Sequence, residues 1–135
     1  MSQDFIFGPM AAMALLTFVV LGLIPARRFR AAFAGRVKAE DFRFGESPAV
    51  PGDVSIPNRN YMNLLELPTL FYVAALMHHV AGRVDQTALA VAWAYVALRA
   101  IHSVIHLTYN NVIHRLAVFA LSNGVLAAFW VLFFV

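Results

Sequence analysis

Four long apolar segments alternate with polar stretches along this chain of 135 residues. The first and the last, 5–24 and 116–135, contain no charged side chain. Segments of this length, at about 1.5 Å per residue in a helix, cross a hydrocarbon core of about 30 Å. The segments 59–80 and 87–109 also have helical length but carry polar side chains. The pattern predicts an all-α protein with four antiparallel membrane helices in a single domain, 1–135.

The second segment carries a narrow polar face. Arg59, Asn63 and Glu66 follow one another at spacings of four and three residues, so they project from one side of a helix. Pro68 has no N–H, so the carbonyl of Leu64 loses its normal helical partner. We therefore expect a kink close to Glu66, and a cavity beside it.

The third segment carries a second polar face, which spans an arc of about 80° on a helix. Its members are Tyr95, Arg99, His102, His106 and Tyr109. Such a face is costly in lipid and must turn toward other helices or a hydrated cavity. We expect a ligand cavity between the two faces. An ion pair between Arg99 and Glu66, or histidines that hydrogen-bond across helices, are the structural alternatives.

The connecting segments predict the orientation in the membrane. Stretch 25–58 is first basic and then rich in proline, which predicts a long loop. Seven of the ten Lys and Arg residues lie between Arg27 and Arg59. The positive-inside rule therefore places loops 25–58 and 110–115 in the cytoplasm and both termini on the opposite side. A signal peptide is the alternative for segment 5–24, but the run is long for one and no small-residue cleavage site follows.

Composition supports a membrane protein and excludes several kinds of site. Hydrophobic residues make up 61% of the chain and charged residues 13%, too apolar for a soluble domain. No cysteine is present, so disulfides, thiolate metal sites and a cysteine nucleophile are excluded. The adjacent His78 and His79 point apart on a helix, which predicts solvation at the interface and no metal. The net charge is +3. Because the basic residues are concentrated in one segment between apolar runs, they indicate orientation in the membrane and not binding to nucleic acid.

The side chains expected in the cavity suit a small polyanion that also carries an ammonium group. Arginine binds carboxylates bidentately, Glu66 would pair with the ammonium, and Asn63 would bind amide groups. The arginines concerned are Arg28, Arg59, Arg99 and Arg115. Glutathione fits this description, and the surrounding lipid would supply a lipophilic second substrate.

Two motifs in this chain resemble those of the MAPEG superfamily, the membrane-associated proteins in eicosanoid and glutathione metabolism. They are Arg59-x-x-x-Asn63-x-x-Glu66 and Arg99-x-x-His102-x-x-x-His106 followed by Arg115. The resemblance covers nearly the whole chain and points to the bacterial branch, located in the inner membrane. It implies a homotrimer of four-helix bundles, with glutathione bound between subunits.

The resemblance, together with the polar face of the third segment, also assigns roles. The residues expected to bind glutathione are Arg28, Arg59, Asn63, Glu66, Arg99 and Tyr109. Arg115 is expected to stabilise the glutathione thiolate, with His106 and His102 as further catalytic candidates. This chain departs from catalytic relatives in three places. His106 stands where they commonly carry Tyr, and Leu116 and Phe119 replace hydroxyl side chains.

These features predict a membrane-bound, glutathione-dependent transferase or peroxidase acting on a lipophilic electrophile. Two alternatives remain open at this point. One is a non-catalytic membrane protein on the same scaffold, and the other is a small transporter that uses the arginine and histidine face as an ion path. The sequence does not choose between conjugation, peroxide reduction and isomerisation.

Overall fold

Five α-helices make up almost the whole molecule, and no β-strand is present. A computed structural model describes all residues, 1–135. The helices are α1 (Phe7–Phe33), α2 (Gly52–Leu65), α3 (Leu67–Val80), α4 (Gln86–Leu107) and α5 (Val112–Phe134). Short 3₁₀ turns occur at Gln3–Ile6 and Ala39–Phe42. Helices α2 and α3 together occupy the place of the second predicted helix, so the prediction of an all-α bundle is confirmed.

Three helices are long and apolar enough to cross a membrane. They are α1 with its preceding turn, α4 and α5. Large apolar side chains such as Phe18, Val104 and Val131 stand on the outside of these helices. A surface of this kind is compatible with lipid and incompatible with water. The chain is therefore an integral membrane protein.

The discontinuity between α2 and α3 lies at Glu66, where the sequence predicts a kink. Glu66 has φ −82° and ψ −100°, outside helical geometry, and α3 resumes at Leu67. Pro68 falls in the first turn of α3, where a missing N–H costs little. The break leaves carbonyl groups at the end of α2 in need of other partners.

Both ends of the predicted loop 25–58 are helical in the structure. Helix α1 continues through Pro25 to Phe33, and α2 begins at Gly52. Pro57 removes the N–H that would pair with the Asp53 carbonyl, and Arg27 Nη1 donates to this carbonyl instead at 2.9 Å. The irregular connection is thus shortened to 34–51.

This connection is held by ion pairs and by a small apolar cluster. Arg36 makes two hydrogen bonds with the Asp53 carboxylate, of 2.7 and 3.0 Å. The Arg36 side chain holds the pKa of the Asp53 carboxyl below its usual range. Beneath them, Val37, Val50 and Val54 are buried together. The connection is therefore packed against the cluster and tied to α2.

The main core lies where α1, α3, α4 and α5 meet. Phe71 of α3 lies 5.0 Å from the Tyr95 ring and 5.9 Å from the Phe129 ring, measured between centroids. His78 is also buried here, stacked on Phe129 at 4.7 Å, with Nε2 3.3 Å from the Phe129 carbonyl oxygen. The prediction that His78 is solvated at the interface is wrong, because a carbonyl of α5 provides its polar partner.

Candidate functional site

A cavity of about 280 Å³ opens between α2, α4 and α5. It is lined by Arg59, Asn63, His102, His106, Val112, Arg115, Leu116 and Phe119. Five of the nine predicted site residues are in this lining, contributed by three different helices. The two polar faces predicted from sequence therefore do meet, although neither is complete.

Helical periodicity explains which side chains share the cavity. Arg59 and Asn63 are one turn apart on α2, and His102 and His106 are one turn apart on α4. The ring centroids of the two histidines are 5.8 Å apart. Each helix therefore presents two polar side chains to the same space.

Arg115 enters the cavity from the first turn of α5. The Asn111 side chain caps this helix by accepting hydrogen bonds from the N–H groups of Ile113 and His114, each at 3.0 Å. Arg115 Nη1 donates to Asn110 Oδ1 at 2.7 Å. The cap fixes where α5 begins and hence where Arg115 points.

Arg99 lies behind the cavity and does not line it. Its side chain is 0% exposed. Nη2 donates to the Asn63 backbone carbonyl at 3.2 Å and to the Asn63 side-chain oxygen. No ion pair joins Arg99 to Glu66. The ion pair between these two residues, one of the structural alternatives raised by the sequence, is therefore absent within one chain, since the end of α2 provides the acceptors for Arg99.

Three other predicted ligands lie outside this cavity. Glu66 is exposed at the helix break. Arg28 pairs with Glu46 at 3.0 Å, and its guanidinium lies over the Phe42 ring at 4.5 Å. Tyr109 is 59% exposed, because α4 ends at Leu107 and Asn110 turns the chain with φ +47°. Beyond Leu107 the helical spacing that placed Tyr109 on the polar face no longer applies.

A buried polar pair next to the site was missed in the sequence. Ser103 Oγ donates to Asn60 Oδ1 at 3.2 Å, and both residues are buried. Asn60 follows Arg59 directly, and Ser103 follows His102 directly. Polar side chains in the predicted second and third membrane helices were the available signal, because such groups hydrogen-bond across helices in membranes.

The electrostatic character of the cavity is cationic. Two guanidinium groups, of Arg59 and Arg115, contribute to its surface, and no carboxylate does. The histidines add two ring systems that can donate or accept protons. The apolar side of the cavity includes Leu116, which is 62% exposed on the outer surface of α5. The space is therefore suited to binding an anionic molecule next to lipid.

The fold and this cavity define an integral membrane helical bundle with an arginine- and histidine-lined site between its helices. The chain belongs to the MAPEG family, whose model matches residues 6–135, essentially the whole chain. Members of this family generally use glutathione as substrate or cofactor. No curated protein and no solved structure matches the chain. The resemblance noted in the sequence is confirmed.

Proposed function

We propose that this protein is a membrane-bound glutathione-dependent transferase or peroxidase that acts on a lipophilic electrophile. The observation that carries the proposal is the cavity in which Arg59, Asn63, His102, His106 and Arg115 converge inside a membrane bundle of this family. The cavity contains arginines that can bind carboxylates and histidines that can act as acid or base, and its apolar side adjoins lipid.

The chemistry of the cavity fits glutathione in part. Arg59 and Arg115 would bind its carboxylates or thiolate, because guanidinium groups form strong charge-assisted hydrogen bonds with anions. Asn63 would bind its amide groups. The ammonium group has no partner in this cavity, because Glu66 lies outside it.

The size of the cavity supports a site completed by another subunit. Its volume of 280 Å³ is at the low end of the roughly 300–1,000 Å³ common for small-molecule sites. Arg28 and Glu66, two further proposed ligands, lie elsewhere on the single chain. In the homotrimer that we propose, neighbouring copies bring these side chains to an intersubunit site, where Glu66 binds the ammonium group.

Glutathione supplies a thiol, whose thiolate form is the competent nucleophile. The positive charge of Arg115 lowers the pKa of a thiol placed beside it and so favours the thiolate. In a transfer reaction, a carbon–sulfur bond then forms and the leaving group departs with its electron pair. His102 or His106 can protonate that group, and His106 stands where catalytic relatives commonly carry a Tyr.

Titration of purified protein in detergent with glutathione tests the proposal. We expect saturable binding and a rise in ultraviolet thiolate absorbance. A glutathione analogue without the thiol should compete for the site and give no rise in thiolate absorbance. Turnover of chloro-dinitrobenzene or a hydroperoxide without a membrane gradient would establish an enzyme. Absence of glutathione binding at millimolar concentration would refute the proposal.

A further inference from the structure

Arg99 is the largest fully buried side chain of the molecule, in the middle of α4. Only Nη2 has acceptors within the chain, and both are oxygens of Asn63. Nε and Nη1 are buried and have no partner. Within the chain, all hydrogen bonds of this buried guanidinium therefore go to one residue of α2, and its other favourable contact is with the Phe119 ring, 5.5 Å from the guanidinium carbon to the ring centroid.

The position of Asn63 explains this contact. It lies in the last turn of α2, where the break at Glu66 leaves backbone carbonyls without their usual helical N–H partners. The Asn63 carbonyl accepts only a long hydrogen bond from the Glu66 N–H, at 3.4 Å. A guanidinium placed there donates a second hydrogen bond to this carbonyl and interacts favourably with the negative end of the helix dipole. Arg27 and Arg83 make equivalent contacts with carbonyls in the last turns of α4 and α5, at Leu107 and Phe133. Capping of helix ends by arginine is thus a repeated feature of this fold.

The contact also fixes the orientation of the Asn63 amide. A guanidinium has donors only, so the amide oxygen must face Arg99 and the amide nitrogen must turn away from it. The Asn63 nitrogen makes no hydrogen bond within the chain and is not among the buried unpaired atoms. Asn63 lines the cavity, whereas Arg99 does not. The free N–H groups are therefore available to a molecule in the cavity.

We propose that Arg99 is a positioning residue, which closes the end of α2 and directs the two amide N–H groups of Asn63 toward the ligand. Asn63 then acts as a donor to a carboxylate or carbonyl oxygen, and Arg99 acts only through it. The identity of the ligand rests on the proposed function. The arrangement of Arg99 and Asn63 rests on the contacts alone.

A double-mutant cycle on glutathione binding separates this role from direct contact. We expect Asn63→Ala and Arg99→Met each to weaken binding about 10- to 100-fold, the range for a hydrogen bond to a charged group. The affinity of the double variant for glutathione should equal that of whichever single variant binds less tightly, since both changes remove the same oriented amide. If the two losses multiply, Arg99 contacts the ligand directly and the proposal is overturned.

Asn63→Asp provides a readout that a purely structural role would not change. The carboxylate keeps both acceptors for Arg99 but removes the N–H donors. We expect an apparent Tm at least equal to that of the unaltered protein, together with glutathione binding as weak as in Asn63→Ala. Retention of full affinity in Asn63→Asp would refute the donor role. As controls, Arg43→Leu and Asn123→Ala change residues outside the cavity and should leave affinity unchanged.

Two further results keep the outcomes distinct. If Arg99→Met does not fold, Arg99→Gln retains one amide donor and replaces it in the cycle. If the unaltered protein binds no glutathione, the proposed function fails, and the cycle is measured on apparent Tm. If the double variant loses less Tm than the sum of the two single losses, the contact between Arg99 and Asn63 is supported. Additive losses overturn it.

Discussion

Arg115 and the two cavity histidines differ in how their charge depends on pH. Arginine stays protonated at any working pH, whereas histidine ordinarily titrates near neutrality. A permanent cation in the first turn of α5 is therefore the better group for holding a thiolate, and the histidines are better suited to proton transfer. This division of roles follows from side-chain chemistry once all three residues share a cavity.

Replacement of Arg115 should separate binding from chemistry. We expect Arg115→Leu to abolish the thiolate absorbance of bound glutathione while much of the affinity remains, because Arg59 and Asn63 still line the cavity. The measurement is the ultraviolet difference spectrum during titration, followed by turnover. Arg43→Leu is the matched control, since this arginine is paired only with Glu40 on the surface. An unchanged thiolate signal in Arg115→Leu would transfer the role to His102 or His106.

Arg59 should contribute to affinity more than to the state of the thiol. Arg59 is exposed, so loss of its ion pair with the ligand should cost about 0.2–1 kcal/mol, the range measured for solvent-exposed pairs. Arg59→Leu should therefore weaken glutathione binding, measured by calorimetry, with thiolate absorbance per bound molecule unchanged. Equal affinity in the variant would show that this arginine does not contact the ligand.

At the scale of elements, the break between α2 and α3 is stabilised by side chains. Thr69 N–H donates to the Glu66 carbonyl at 3.1 Å, and Thr69 Oγ1 donates to the Leu65 carbonyl at 2.7 Å. On the other side of the break, Arg99 Nη2 donates to the Asn63 backbone carbonyl. A discontinuous membrane helix persists only where its freed backbone groups find such partners.

Thr69→Val should destabilise the protein by about 1 kcal/mol, because the Leu65 carbonyl loses its hydrogen-bond donor. The measurement is apparent Tm in detergent. Thr108→Val is the matched control. Thr108 Oγ1 also bonds a carbonyl, that of Val104, but this carbonyl already accepts the Thr108 N–H. Equal losses in the two variants would contradict a special role for Thr69 at the break.

For the whole molecule, we expect the basic residues around α1 and α2 to set the orientation in the membrane. The absence of cysteine makes single-cysteine labelling unambiguous. In intact cells, a membrane-impermeant maleimide should label Ala81→Cys and spare Ala49→Cys, because we expect the connection 34–51 to be cytoplasmic. Both positions are exposed. The reverse labelling pattern would place the cavity mouth on the other side of the membrane.

Assembly is the second property at this scale. We expect native mass spectrometry in mild detergent to find three chains together, since Arg28 and Glu66 meet the cavity only through neighbouring copies in the proposed site. Glu66→Gln should then weaken glutathione binding although Glu66 lies outside the cavity of its own chain. A stable monomer that binds glutathione fully would contradict the intersubunit site.

The sequence by itself determined the class of fold and about half of the site. Apolar runs identify the membrane helices, because lipid imposes both length and internal hydrogen bonding. Pro68 identifies the break, because it has no N–H to donate to the Leu64 carbonyl. Within uninterrupted helix, a spacing of four residues correctly placed Asn63 with Arg59 and His106 with His102.

The tertiary structure decided where that periodicity stops and which partner each charge takes. Glu66 and Tyr109 leave their predicted faces because α2 and α4 end before them. Arg28 pairs with Glu46, and Arg99 with the end of α2, because the approach of helices and connections determines which acceptor lies within reach. These pairings depend on residues 18 and 36 positions apart in the chain, a separation at which local sequence carries no geometric information.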